Sequence, residues 1–196
     1  MRRWSAALAA LLLAGAGLAA TTAPASASRT AAGTHPHSVM CEVGWGSYGK
    51  TGIDTSYKPL TDVRTGRHEC FDRMVLDVEG VGHRPIGYRV GYVDRLSQDG
   101  SGDDIHVAGG AILEVRVAAP SYDLATGRAT YRAKAGRRLP GVDVTDYRTF
   151  KDTRFAGSFE GDTQIGLGVR ARLPFRVFQW NHHIVIDVAH RWGVLD

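Results

Sequence analysis

The sequence predicts an all-β fold, a two-sheet β-sandwich, and three observations carry that prediction. Five segments alternate apolar and polar residues with a period of two: MVLDV (74–78), YRVGYV (88–93), ILEVRV (112–117), FRVFQW (175–180) and HIVIDV (183–188). Strands with one core-facing side show that alternation. Between them stand SQDGSGDD (97–104), AGG (108–110), SYDLATGR (121–128), EGD (160–162) and WNHH (180–183), rich in the residues that build turns. Beyond the N-terminal leader, no window of a dozen residues holds a 3.6-residue apolar stripe. LATGRATYRAKAG (124–136) comes nearest, and its glycines disfavour a helix. Short strands with one buried and one wetter face imply two sheets packed face to face. A β-barrel is the alternative.

Residues 1–27, MRRWSAALAALLLAGAGLAATTAPASA, have two leading arginines, an apolar run from Ala6 to Ala20 and the small-residue ending Ala25-Ser26-Ala27. This is the pattern of a secretory signal peptide, with an apolar core short of the roughly 20 residues of a bilayer span. No cysteine stands at the cleavage site to carry a lipid. The expectation is a secreted protein, extracellular or cell-wall associated, with no stable membrane anchor after cleavage. Residues 28–39 open with SRTAAGTHPHS, small and polar, and read as a disordered linker holding His35 and His37. Residues 40–196 then form one domain, a size that buries a substantial core.

The chain carries 24 basic and 20 acidic residues, and without Arg2 and Arg3 the balance falls to 22 against 20. So even a charge gives no support to nucleic-acid binding. Cys41 and Cys70 are the two cysteines; in an oxidising compartment they are expected to pair. The loop-entropy model assigns such a bridge roughly 3 to 4 kcal/mol. A metal or catalytic thiol is the competing reading, and the missing C-x-x-C spacing weakens it.

Within QIGLGVRA, Gly166, Gly168 and Ala171 fit the G-x-G-x-x-[GA] pattern of a dinucleotide loop. That loop needs a helix N-terminus behind it, whereas RLPFRVF follows here and opens a strand. The glycines are better suited to close backbone approach or a bulge, and no cofactor is expected. DGSGDD offers Asp99, Ser101, Asp103 and Asp104 as oxygen ligands, but the sixth and twelfth places of a calcium loop hold Asp104 and Gly110. A hairpin turn explains it more simply. His182, His183, Asp187 and His190 resemble a metal set, yet His183 and Asp187 would lie about 13 Å apart along a strand, too far for one ion. No metal site is expected.

Catalysis finds no clear carrier. Glu160 and Asp162, or Glu160 with Asp77, offer the two carboxylates of a small envelope hydrolase, but two acids around a turn glycine are commonplace. There is no G-x-S-x-G elbow and no H-E-x-x-H helix. What remains is binding chemistry: Arg170, Arg172 and Arg176 in VRARLPFR suit bidentate contact with carboxylate or phosphate. Trp180 supplies an aromatic face, and Glu160 a further polar group. Trp45 and Trp192 complete the tryptophans beyond the leader.

CFDRMVLDVEG (70–80), GYRVGYVD (87–94), DGSG (99–102), GGAILEVRVAAPSYD (109–123), FEGDTQIGLGVRARLPFRVF (159–178) and IVIDVAH (184–190) follow one another in an order that resembles the AMIN-like domain. This is a family of secreted bacterial proteins distantly similar to the AMIN domain. The resemblance spans roughly residues 40–192, and its long fifth segment is the most specific part. It implies a β-sandwich with a non-catalytic role in binding the cell envelope, because AMIN domains target envelope proteins, in several cases through peptidoglycan. It supplies no site residues. The expected partner is therefore a wall polymer or an envelope protein.

Overall fold

The computed structural model describes Cys41 and residues 44–53, 57–80 and 84–193. The expected signal peptide and linker lie outside them. All strand pairing is antiparallel, in two principal sheets and one short hairpin. The five-stranded sheet runs β1 (Lys50–Gly52), β4 (Tyr88–Val93), β7 (Ala111–Val117), β9 (Asp162–Val169), β8 (Phe150–Phe159). The four-stranded sheet runs β10 (Phe175–Trp180), β11 (His183–Ala189), β3 (Phe71–Val78), β2 (Leu60–Arg67). β5 (Leu96–Ser97) and β6 (Asp104–Ile105) form the separate hairpin. No helix occurs among the described residues and neither sheet closes on itself, so the fold is a sandwich and not a barrel.

All five expected strands are present, and their apolar faces meet in one core. Leu113, Val115 and Val117 of β7, with Ile165 and Leu167 of β9, pack against Met74, Leu76, Ile184, Ile186 and Val188 from the opposite sheet. Three of the expected turns close hairpins, β5–β6, β8–β9 and β10–β11. Glu160 and Gly161, at φ 50° and 90°, join β8 to β9 as a two-residue loop whose positive φ values match the twist of the strands it connects. SQDGSGDD forms the β5–β6 turn, with Gly100 and Gly102 at φ 87° and 76°. The region 118–149, which includes LATGRATYRAKAG, is irregular apart from a Tyr122–Ala129 bridge. It covers two sheet edges: Gly136 N–H donates to Phe155 O on β8, and Leu60 N–H on β2 donates to Pro120 O. An open edge would otherwise present unpaired backbone groups.

One expectation needs correcting: not every strand has a wetter side. In β11, Val185 and Asp187 on the outward face are as buried as the core residues between them. β9 is likewise closed on both faces from Thr163 to Val169. Each is an interior strand with a second layer above it. Over β9 that layer is the β5–β6 hairpin, where Leu96, Ile105 and Val107 join Ala156 in a small second core.

The layer also explains the glycines of QIGLGVRA. A Cβ at Gly166 would collide with Leu96 and Val107, and one at Gly168 with the carbonyl oxygen of Ala108. Gly168 lets a second stretch of backbone lie directly on the strand, and Gly166 makes room for the Leu96 and Val107 side chains. Gly168→Ala is therefore expected to cost at least 1 to 3 kcal/mol, as overpacking against unyielding backbone does. Gly44→Ala, with nothing within 4 Å of the new methyl, should stay within about 0.5 kcal/mol of the parent. Urea midpoints of the two variants check the difference.

Candidate functional site

The outward face of the four-stranded sheet gathers more aromatic and charged side chains than the inward one, and strand register decides which of them meet. Directly opposed residues of antiparallel strands share a face. One cross-strand row is Arg176, Asp187 and Arg73; the next is Phe178, Val185, Val75 and Arg64; the third ends in Trp180, His183 and Asp77.

Asp187 organises the first row. Its side chain is fully buried. It accepts two hydrogen bonds from Arg73, at 2.6 and 2.9 Å, and one from Arg176 Nε at 2.8 Å. The hydrogen bonds to Asp187 hold the Arg73 guanidinium above its ordinary value against the opposing cost of burial. Two guanidinium groups on one carboxylate leave a surplus positive charge. Aromatic faces stack over it: Arg176 lies 4.4 Å from the Trp45 ring and 5.1 Å from that of Phe178, and Arg73 lies 5.1 Å from that of Phe71. Trp45 is tethered nearby by the Cys41–Cys70 disulfide, whose Cα atoms are 5.3 Å apart, and by the Phe175 N–H to Gly46 O hydrogen bond.

The third row is built differently. Asp77 accepts two hydrogen bonds from Arg64, at 3.0 and 3.1 Å, and lies 2.6 Å from His183 Nδ1. Trp180 is 64% exposed at the strand end, its ring 5.9 Å from that of His183. A shallow cavity of about 410 Å³ opens beside this row, bounded by Thr61, Asp77, Glu79, Gly80 and His182. An exposed indole next to hydrogen-bonding acids and bases is an arrangement that takes up amphipathic ligands.

Of the residues singled out from sequence, Arg176 and Trp180 share this face, two rows and about 13 Å apart along β10. Arg170 and Arg172 sit on the β9–β10 connection, not on a strand; Arg170 donates to His190 O, and Arg172 stacks 5.2 Å from the Tyr92 ring. Glu160 belongs to the other sheet, at the opposite end of β9 from Arg170, roughly 25 Å away along the strand. Arg73, Arg64 and Phe178 were not singled out. The period-two pattern of FDRMVLDV and FRVFQW does put Phe71, Arg73 and Asp77, and Arg176, Phe178 and Trp180, on one side of their strands.

The family model of the AMIN-like domain matches residues 58–190. The chain belongs to the AMIN-like domain family. No curated protein and no solved structure matches it. Membership carries an envelope-related role of the binding type, and the AMIN-like match takes in every strand of both faces except β1.

Elsewhere in this AMIN-like domain the other candidate residues are dispersed. Asp99 pairs with Arg116, and Asp104 accepts from Ser97. His183 contacts Asp77, while His190 contacts Asp72 at 3.1 Å. Among the described residues no three metal-binding side chains converge. Asp162 projects from the start of β9 on the outer side of the five-stranded sheet. Burial pushes its pKa above the ordinary 3.8, against the lowering charges of Arg116 and Arg89.

Two expectations follow. Asp187→Asn should destabilise the domain by about 2 to 3 kcal/mol in urea unfolding, since two part-buried guanidinium groups lose their counter-charge. For Asp162 the folded state binds the proton more tightly than the unfolded chain. Its stabilising contribution is thus complete below pH 3.8 and is lost as the pH rises through the raised value. Asp162→Asn should accordingly have a higher Tm than the parent at pH 7, with the gap closing below about pH 3.8.

Proposed function

We propose that this protein is a secreted, non-catalytic module that binds a cell-wall polymer, peptidoglycan foremost, through the outward face of the four-stranded sheet. The observation that carries this reading is the exposed Trp180 ring standing in one cross-strand row with His183 and Asp77. Indole faces stack on the apolar faces of sugar rings, and flanking carboxylate and guanidinium groups take up hydroxyl and carboxylate groups. The surplus positive charge around Asp187 suits the acidic groups of such a polymer. Arg170 and Arg172, on the β9–β10 connection, add a second cationic group.

Binding of the mature protein to purified cell wall, separated by sedimentation at low and moderate salt, tests the proposal. Retention should exceed that of an unrelated secreted protein at both salt concentrations. Trp180→Ala should lower it at least fivefold without changing Tm, because the ring is exposed. The Arg170→Ala, Arg172→Ala double variant should weaken retention mainly at low salt, where exposed charges act furthest. Retention no better than the control rejects the polymer and leaves an envelope protein as the partner.

A further inference from the structure

A second cleft lies on the outward face of the five-stranded sheet, away from Trp180. One cross-strand row there contains Thr51, Arg89, Arg116 and Gln164. One step along the strands, Asp162 projects on the same face, and the positions beside it hold Ala118 and Gly87. Large side chains on one row and almost none on the next leave a hollow, a cleft of about 290 Å³ whose lining includes Asp162, Arg89, Arg116, Ala118, Tyr57 and Tyr88. That volume is at the small end for ligand sites, suited to a small molecule or one end of a chain.

The charges in the cleft divide into two kinds. Arg116 is fully engaged: it bonds both Asp99 and Glu114, and Gln164 Nε2 donates to the same Glu114 carboxylate at 2.6 Å. This network holds down the β5–β6 turn and offers nothing to a ligand. Arg89 and Asp162 are different. Arg89 is exposed, and its guanidinium makes no ion pair or hydrogen bond among the described residues. Asp162 is half-buried, and its carboxylate accepts no hydrogen bond among them. The two feel each other's charge but are too far apart to pair. A carboxylate removed from much of its water and given no donor is an unfavourable arrangement unless something else supplies one.

From this juxtaposition we propose that the cleft binds a small zwitterion of the α-amino-acid class, either a free amino acid or the end of a short peptide. The ligand ammonium donates to Asp162, and its carboxylate takes the fork of Arg89. Tyr57 lies at its side, and Ala118 and Gly87 form a floor low enough to admit it. A single anion would leave Asp162 without a donor, and a single cation would leave Arg89 without an acceptor. A ligand carrying both charges a few ångströms apart satisfies both. The site is independent of the wall-binding face, on a different sheet.

The test is NMR titration of the mature protein with alanyl-alanine in its L,L and D,D forms. N-acetyl-alanyl-alanine, alanyl-alanine amide and free alanine serve as companion probes. Saturable shifts around Arg89, Ala118 and Asp162 are expected with at least one stereoisomer. Either blocked dipeptide should bind at least fivefold more weakly, as should Arg89→Gln or Asp162→Asn with the unblocked probe, while Trp180→Ala leaves the affinity unchanged. Arg89 is exposed and Asp162→Asn is expected to stabilise, so both variants should remain folded. Free alanine binding as tightly as the dipeptide identifies the amino acid as the source; weaker binding identifies a peptide end. No saturable shift with alanyl-alanine or alanine, or a loss under fivefold on blocking either charge or replacing either residue, overturns the proposal.

Discussion

Burial of the Asp187 carboxylate is the constraint on which the outward face of the four-stranded sheet depends. A charge with no exposure to water must be paired and hydrogen-bonded, and Asp187 is satisfied from both sides, by Arg73 on β3 and Arg176 on β10. Those bonds fix where the two guanidinium planes lie. The planes in turn fix where aromatic rings stack, which draws Phe71, Phe178 and Trp45 into one layer. A buried ion pair is weak grounds for stability because desolvation offsets the attraction. Its role here is geometric: long flexible side chains become an ordered surface.

The opposite sheet follows the same logic with a different outcome. Arg116 is met by Asp99 and Glu114, and Gln164 completes the network by donating to Ser97 O and to Glu114. The result is a clamp that seats the β5–β6 hairpin on β9, with Leu96 over Gly166. A few ångströms further along the strands the pattern stops, with the Asp162 and Arg89 side chains unpaired among the described residues. Satisfied polar networks rigidify a fold, and unsatisfied groups cost it stability. The two halves of one surface thus differ in how far their charges are paired among the described residues.

Much of this fold is legible in the chain. MVLDV, ILEVRV and HIVIDV show their core faces directly, because a period of two survives wherever a strand is regular. β8 hides because the register shifts between Phe150 and Asp152 and again between Phe155 and Gly157. Each bulge inserts a residue and breaks the alternation. β2 carries a similar shift between Leu60 and Asp62. The outward face of the four-stranded sheet is only partly readable. Arg176 and Trp180 stand out as types, but Arg73 and Asp187 are 114 residues apart, and nothing local announces that they touch.

By itself the sequence determined the class of fold, the cysteine pairing and the hairpin turns, because these follow from short-range periodicity, from φ preferences and from there being only two cysteines. It also weighed against a dinucleotide loop at GLGVRA, since RLPFRVF opens a strand where that loop needs a helix. Tertiary structure alone decided which polar residues meet. Register across strands places Trp180 beside His183 and Asp77, and it separates Glu160 from the arginines. Only the second layer over β9 shows why Gly166 and Gly168 must lack side chains. Cross-strand register is set by the packing of the whole sandwich, and that packing is a property of the assembled chain rather than of any one segment.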